Sequence, residues 1–116
     1  MGLAVKAGVQ LEGVQSMMGI AALIYELART YLAYGDGTIT GGTEPADDNG
    51  APRPDVDPHP LGMALDLRTN DLDGDQADML FAVVKAVDAA IGGFFTWVEE
   101  SDHLHVQLRT WRSYVT

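Results

Sequence analysis

The chain has 116 residues, no cysteine, and 17 acidic against 7 basic side chains, for a formal net charge of −10. This length suits a single domain over residues 1–116. The lack of cysteine excludes disulfides, thiolate-bound metals and a thiol nucleophile. The acidic surface repels phosphate backbones, so we expect no nucleic-acid partner. Apolar residues make up 47% of the chain, which is enough for a hydrophobic core.

The first half of the chain predicts one long helix, one short strand and a loop. Residues 1–13 contain three glycines and little periodicity, which indicates an irregular lead-in. A helix is predicted over residues 14–34, because apolar residues recur at steps of three and four. Residues 37–40 are typical of a short strand. Residues 41–58 form a loop with four of the five prolines and five acids, and such long loops are often functional. The predicted inner face of the helix is Met17, Ile20, Ala21, Ile24, Leu27, Ala28, Tyr31 and Leu32.

The second half predicts three strands around a second helix. The strands are expected over residues 63–67, 94–99 and 103–108, and the helix over residues 75–91. The last two strands are joined by a tight connection. The whole order predicts an α+β fold with a small antiparallel sheet and two main helices. The residues of the second helix expected to face the core are Leu80, Val83, Val84, Val87 and Ile91.

No segment predicts membrane insertion or export. The longest apolar stretch, residues 17–28, is too short to cross a bilayer, which takes roughly 20 residues. It also lacks the flanks of a secretory signal peptide. We therefore expect a soluble protein that is made in the cytoplasm without its own signal peptide, has no membrane partner and is a monomer.

The three histidines fall in two short segments. His103 and His105 are two residues apart on a predicted strand, so both point to one face. Asp66 lies mid-strand among apolar neighbours, where a buried carboxylate needs a cation or several donors. Two histidines and one aspartate are a ligand set of catalytic zinc, which keeps a further position for water. On spacing alone, the commoner interpretation is an exposed Asp66 and ordinary surface or core histidines.

Together, the two segments resemble a known family. The first reads His59-x-x-Gly62-x-Ala64-x-Asp66, and the second reads Asp102-His103-x-His105. The pair resembles the motifs of zinc D-alanyl-D-alanine carboxypeptidases and, more closely, of related phage endolysin and actinobacterial cell-wall peptidases, the L-alanyl-D-glutamate peptidases among them. The resemblance covers roughly residues 9–109 and implies a Hedgehog/DD-peptidase-like fold.

The resemblance also implies roles for single residues. His59, Asp66 and His105 would be the ligands of a Zn²⁺ cofactor. Asp102 would act as the general base, and His103 would help to stabilise the transition state. As a turn residue, Asp102 also has a plain structural interpretation, because aspartate favours turns.

The sequence departs from the family where a substrate carboxylate is commonly bound. Many carboxypeptidases place an arginine upstream of the first motif, but residues 41–48 contain none. Arg53 and Arg68 are the nearby candidates for substrate binding, and the missing arginine favours an endopeptidase. Glu100 lies three residues before His103, so it is a competing base or a group at the rim of the site.

The resemblance implies a zinc metallopeptidase that hydrolyses peptide bonds in peptidoglycan stem peptides. We expect a carboxypeptidase or a phage-type endolysin that acts on the cell wall and is phage-encoded or released at lysis. One alternative is a non-catalytic, zinc-containing module that binds the cell wall or another ligand. A further alternative is a metal-free structural or assembly protein of a phage.

Overall fold

The computed structural model describes residues 2–44 and 57–114. Within them, the chain forms five strands, two α-helices and a short 3₁₀ helix, which confirms the α+β class. In chain order these are β1 (Leu3–Val5), α1 (Met17–Tyr31), β2 (Gly37–Gly41), β3 (Ala64–Arg68), α2 (Gly74–Ala90), β4 (Phe95–Glu99), β5 (His103–Leu108) and the 3₁₀ helix Trp111–Tyr114. Neither α-helix of this part of the chain is long and apolar enough to cross a membrane.

The sheet is mixed, so the prediction of a purely antiparallel sheet is wrong at one edge. The strand order is β1-β2-β3-β5-β4. The β2–β3, β3–β5 and β4–β5 pairs are antiparallel, whereas β1 runs parallel to β2. This is the direction that a helical crossover produces, because α1 connects β1 to β2. Residues 1–13 were predicted to be irregular, and β1 was not predicted because a strand of three residues is too short to show an alternation of apolar and polar side chains.

Both helices lie on one face of the sheet. α1 packs against β2, β3 and β5, while α2 packs against α1 and β4. The sheet side chains that face the helices are apolar, as period-two alternation requires. They include Ile39, Leu65, Leu67, Phe95, Trp97, Leu104 and Val106, all of which belong to the core. The opposite face carries polar side chains and forms the candidate site.

The inner face of α1 differs from the predicted one. Ile20, Leu27 and Tyr31 were expected to face the core, but they are exposed, Tyr31 by 82%. The face that does pack inward consists of Met18, Ala21, Ala22, Ile24, Tyr25, Glu26, Ala28 and Arg29. The observed inner face is rotated about the helix axis relative to the predicted one, so Glu26 and Arg29 are buried. Apolar periodicity cannot indicate charged residues on an inner face.

α1 is also shorter than predicted, and the inner face of α2 is narrower. The helix begins at Met17, after a turn in which the Gln15 amide donates to the Gly62 carbonyl oxygen at 2.8 Å. In α2 the buried residues are Leu80, Val84 and Asp88, one in each turn. Val87 and Ile91 were expected inside, but they are 40% and 46% exposed.

The guanidinium of Arg29 lies at the centre of a buried polar cluster, and the side chain is only 1% exposed. Nη2 donates to the Tyr34 carbonyl oxygen at 2.9 Å and to Asp71, and Nε donates to the Gly35 carbonyl oxygen at 3.1 Å. Nη1 donates to the Arg68 carbonyl oxygen at 3.3 Å. All three nitrogens therefore have acceptors, as a buried cation needs.

The same cluster ties β2 to β3. The Tyr25 hydroxyl donates to the Arg68 carbonyl oxygen at 2.7 Å and accepts from the Thr38 amide at 3.2 Å. Burial acts to raise the pKa of Asp71, but the hydrogen bond from Arg29 and the positive charge of Arg29 together hold that pKa below its usual value. The cluster thus fixes the backbones of β2 and β3 from the helix side of the sheet. The candidate site lies on the other side of the same sheet.

Candidate metal centre

The strand register brings Asp66 and His105 together. In the antiparallel β3–β5 pair, Asp66 lies directly opposite His105, and Arg68 lies directly opposite His103. Side chains of one strand alternate between faces, so these four residues share the face turned away from the helices. Leu67 points to the other face and is fully buried.

His59 reaches the same place from a tight turn before β3. Its amide donates to Asp57 Oδ1 at 2.8 Å, and its carbonyl oxygen accepts from the Gly62 amide at 3.0 Å. The Met63 amide closes the turn on the Pro58 carbonyl oxygen at 2.8 Å. The imidazole is thereby held in the interior, and His59 is only 3% exposed.

The ligand atoms of His59, Asp66 and His105 form a nearly equilateral triangle. His59 Nε2 lies 3.2 Å from His105 Nδ1, and each of these nitrogens lies 3.3 Å from Asp66 Oδ1. A tetrahedral zinc ion with bonds of about 2.0–2.1 Å separates its ligand atoms by about 3.3 Å. The triangle therefore has the size of one face of a zinc coordination tetrahedron.

The hydrogen-bond partners of the outer nitrogens of His59 and His105 determine which nitrogen of each imidazole carries the proton. His59 Nδ1 lies 3.0 Å from the Gly42 carbonyl oxygen, which only accepts, so Nδ1 carries the hydrogen. His105 Nε2 lies 2.8 Å from Gln107 Oε1 and donates to it. In the neutral rings, both lone pairs then point into the triangle. Metal-binding histidines commonly show this arrangement of outer hydrogen bonds.

The triangle therefore needs a positive charge at its centre. With neutral rings, two lone pairs and a carboxylate oxygen face one another, and three acceptors without a donor repel. Without a metal, a proton on an inner ring nitrogen supplies the missing charge and donates to Asp66. Burial acts to raise the pKa of Asp66, but hydrogen bonds with His105 and His59 outweigh it and hold that pKa far below its usual value. Burial acts to lower the pKa of His105, but its hydrogen bonds to Asp66 and Gln107, together with the negative charge of Asp66, raise that pKa above normal. A metal cation supplies the same charge and leaves both rings neutral.

The absence of a side chain at Gly41 leaves space for the Asp66 carboxylate. It lies opposite Asp66 in the β2–β3 pair, beside a register shift. A Cβ atom at position 41 would collide with Asp66 Oδ2 and come within 2.9 Å of its carboxyl carbon. Both atoms belong to the ligand itself, so any larger residue at position 41 would displace it.

Asp102 and His103 form a pair beside the triangle. Asp102 Oδ1 lies 2.6 Å from His103 Nδ1, and His103 Nε2 lies 3.5 Å from Asp66 Oδ1. The Asp102 side chain is 59% exposed, and that of His103 is 27% exposed. Asp102 therefore connects to the triangle through the His103 ring, and both side chains are accessible to a ligand.

The remaining predicted site residues differ in placement. Arg68 is exposed and donates through Nε to Asn70 Oδ1. Glu100 is exposed at the β4–β5 turn, where its amide donates to the His103 carbonyl oxygen at 2.9 Å. Its charge helps to raise the pKa of His105. Arg53 and most of the acidic loop, residues 45–56, lie outside the described residues.

The sequence pattern did not indicate the groups that orient the rings of His59 and His105. Gln107 could have been found, because it lies two residues after His105 on the same strand face. The Gly42 carbonyl oxygen carries no side-chain signal, and only the folded backbone brings it to His59. It also missed Lys6, Thr38 and Thr40, which line a cleft beside His103.

Comparison of the chain with protein-family models, curated proteins and solved structures gives no match. The geometry of the triangle supports the binding of a metal ion.

Proposed function

We propose that this protein is a zinc metallopeptidase that hydrolyses peptide bonds in peptidoglycan stem peptides. The observation that carries the proposal is the triangle of His59, Asp66 and His105, with edges of 3.2–3.3 Å. The motif resemblance supports the substrate class. The protein would act on the cell wall as a carboxypeptidase or endolysin, encoded by a phage or released at lysis.

The ligand types favour zinc over calcium and magnesium. Calcium takes six to eight oxygen ligands, and magnesium takes an octahedron of oxygens that includes several waters. Two imidazole nitrogens and one carboxylate oxygen suit zinc, and three protein ligands are typical of a catalytic zinc site. A bound zinc ion supplies Lewis acidity towards a carbonyl group and lowers the pKa of water towards neutrality.

The neighbouring Asp102–His103 pair supports proton transfer at this place. In the proposed reaction, Asp102 accepts the proton of the attacking water and returns it to the leaving amine. His103 donates a hydrogen bond to the oxyanion that develops on the scissile carbonyl. The 2.6 Å contact between the two side chains orients the ring and lets them share the proton.

Zinc content and muropeptide release together test the proposal. The wild type is expected to bind one zinc ion per chain and to release peptides from purified peptidoglycan, identified by mass spectrometry. Asp102→Asn is expected to keep the zinc and to cleave about a hundredfold more slowly. Asp75→Asn is the matched control, because Asp75 is an exposed residue in the first turn of α2. Full cleavage by Asp102→Asn would contradict the assigned roles, and a wild type without zinc or cleavage would contradict the function.

The position of His103 favours one alternative, a closed and non-catalytic zinc site. Its Nε2 lies 3.5 Å from Asp66 Oδ1, so a modest shift of the ring would make it a fourth ligand. Structural zinc sites are closed by four protein ligands. The variant His103→Gln separates the two functions. A peptidase would keep its zinc affinity and lose activity, whereas a closed binding module would lose zinc affinity.

A further inference from the structure

The outer side of α1, which faces away from the sheet, carries a row of large apolar side chains. These side chains recur at steps of three and four residues, which keeps them on one side of the helix. They are Ile20, Leu23, Leu27 and Tyr31, and their exposed fractions lie between 38% and 82%. A surface helix normally shows polar side chains on this side. We call these four residues the α1 stripe.

α2 extends the apolar surface beside the α1 stripe. Lys85 and Ala89 line a cleft at the β4 edge of the sheet, so the opposite side of α2 is turned towards α1. That side carries Met79 and Val87, which are 51% and 40% exposed. The two helices pack against each other. The α1 stripe and these two side chains therefore belong to one surface of the helical layer.

This surface is almost free of charge in a chain with a formal net charge of −10. The charged residues of α1, all of which the structure describes, are Glu26 and Arg29, and both are buried. Between Met79 and Ala90, a stretch that is described in full, Lys85 is the one exposed charged residue. A helix with apolar side chains on both its inner and outer sides is normally buried on both. The outer side of α1 therefore has the character of an interface.

The spacing of the α1 stripe fits a second copy of the same helix in antiparallel orientation. Its steps of three, four and four residues are nearly the same when read in either direction, as a two-fold contact requires. A two-fold axis at the middle of the stripe brings Leu23 opposite the partner's Leu27. The same axis brings Ile20 opposite the partner's Tyr31. Every member of the stripe thus meets an apolar side chain of the other copy.

The area of the surface is sufficient for a specific contact. From the exposed fractions, the α1 stripe together with Met79 and Val87 presents roughly 600 Å² per chain, so a two-fold pair buries about 1,200 Å² in total. This total lies at the lower end of specific protein–protein interfaces. A contact of this size corresponds to a dimer that dissociates on dilution.

We propose that the α1 stripe is the centre of an interface with a second copy of this chain. The two chains stack through their helical layers, and both sheets lie on the outside. The polar faces with the two candidate metal centres then point in opposite directions and stay accessible. The inference does not rest on the proposed function, and it replaces the expectation of a monomer.

Sedimentation equilibrium of the zinc-loaded full chain tests the association. The wild type is expected to change from monomer to dimer between about 10 µM and 1 mM, as suits an interface at the lower size limit. Sodium chloride at about 0.5 M should strengthen the dimer at least about threefold over low salt. The reason is that salt screens the repulsion between two acidic chains and leaves apolar contacts in place.

Two double variants with the same change of polarity locate the interface. Leu23→Gln/Leu27→Gln is expected to weaken the dimer by about a hundredfold or more, because each chain loses two apolar side chains at the centre of the contact. Val5→Gln/Val98→Gln changes two apolar residues that are 46% and 40% exposed outside the surface, and should dimerise as the wild type does. Thermal unfolding verifies that both variants fold.

A spin label tests the antiparallel orientation. The chain has no cysteine, so one introduced thiol places the label at a single position. Labelled Thr30→Cys is mixed with ¹⁵N-labelled wild type, and the amide signals of the wild type are recorded. Broadening is expected around Ile20, at the opposite end of α1. A label at Val98→Cys, on the polar face of the sheet, should leave the amides of α1 unchanged.

The outcomes separate a second copy from other occupants of the surface. A wild type that stays monomeric at about 1 mM would overturn the proposal, as would a dimer that survives Leu23→Gln/Leu27→Gln or is weakened equally by both double variants. A monomer that binds phosphatidylcholine vesicles, and loses that binding in Leu23→Gln/Leu27→Gln, would overturn it in favour of a membrane. Cleavage of peptidoglycan by a purely monomeric chain would overturn the dimer and support the peptidase.

Discussion

Two polar clusters lie on opposite faces of the same sheet, and they differ in their balance of donors and acceptors. In the cluster around Arg29, every guanidinium nitrogen donates to an oxygen, and the cluster is complete as it stands. In the triangle of His59, Asp66 and His105, lone pairs face one another across 3.2–3.3 Å. The first cluster stabilises the fold, and the second offers three ligand atoms of suitable spacing to a cation.

This difference gives a physical criterion for a metal site. Buried polar groups are nearly always paired in folded proteins, because an unpaired group costs free energy. A cluster with an excess of acceptors, whose outer ring nitrogens are paired, lacks a positive charge at its centre. If the two clusters act separately, changes around Arg29 alter stability, and changes in the triangle alter metal affinity.

The largest effect is expected from Asp66→Asn, which keeps the shape of the ligand and removes its charge. Zinc affinity should fall by about a thousandfold or more, beyond the 10–100-fold typical of losing an outer hydrogen-bond partner. The stabilisation by zinc, measured as the rise in Tm on zinc addition, should disappear. Asp75→Asn serves as the control. A variant that still gains stability from zinc at micromolar concentration would exclude Asp66 as a ligand.

Arg29→Met is expected to lower stability and leave metal binding intact. The carbonyl oxygens of Tyr34 and Gly35 would lose a buried donor, and Asp71 would lose its cation. The free energy of unfolding should fall by about 3 kcal/mol, since each buried group left unpaired costs about 1–3 kcal/mol. Urea unfolding and zinc titration below the transition measure the two properties. Arg112→Met, which changes an exposed arginine, is the control. A matching loss of zinc affinity would mean that the two clusters are coupled through the sheet.

Gln107→Leu should weaken zinc binding by about tenfold, because His105 Nε2 would lose the acceptor that orients its ring. Stability without metal should change little, since Gln107 is partly exposed. Zinc titrations of this variant and of Gln15→Leu, an exposed control, measure the effect. Equal affinity of both variants would show that the ring is oriented by other contacts.

The smallest effect is expected from the acid titration of Asp71. Its pKa is held below normal in the folded chain, so the pair with Arg29 stabilises the fold above the unfolded pKa, and this contribution is lost as pH falls below about 4. The side chain is 34% exposed, so we expect about 1 kcal/mol or less. Asp71→Asn should flatten the decline of unfolding free energy between pH 6 and 3 relative to wild type. Parallel curves for the two proteins would show that the pair contributes nothing measurable.

The order of the main elements and the polar face of β5 could be predicted from the sequence. The periodicities of residues 75–91 and 103–108 match α2 and β5 closely, because both are regular over several turns or residues. The separation of His103 and His105 by two residues placed both on one face. Local spacing determines such features, and no distant contact is needed to deduce them.

The contacts between distant segments could not be predicted in the same way. The pairing of Asp66 with His105 depends on the β3–β5 register, and the parallel position of β1 depends on how α1 crosses the sheet. Arginine is usually exposed, so the residue type does not indicate that Arg29 is buried. The acceptors that permit its burial come from separate segments of the chain. Such features arise from tertiary packing, which a local pattern does not encode.

The absence of a side chain at Gly41 has a consequence for protein design. Grafting His59, Asp66 and His105 onto another sheet would copy the three functional groups but not the gap that accommodates them. The residue opposite the aspartate on the neighbouring strand must be a glycine, because a single added methyl group would occupy the space of the aspartate's carboxylate. A transplant of this site therefore requires four positions, one of which contributes only empty space.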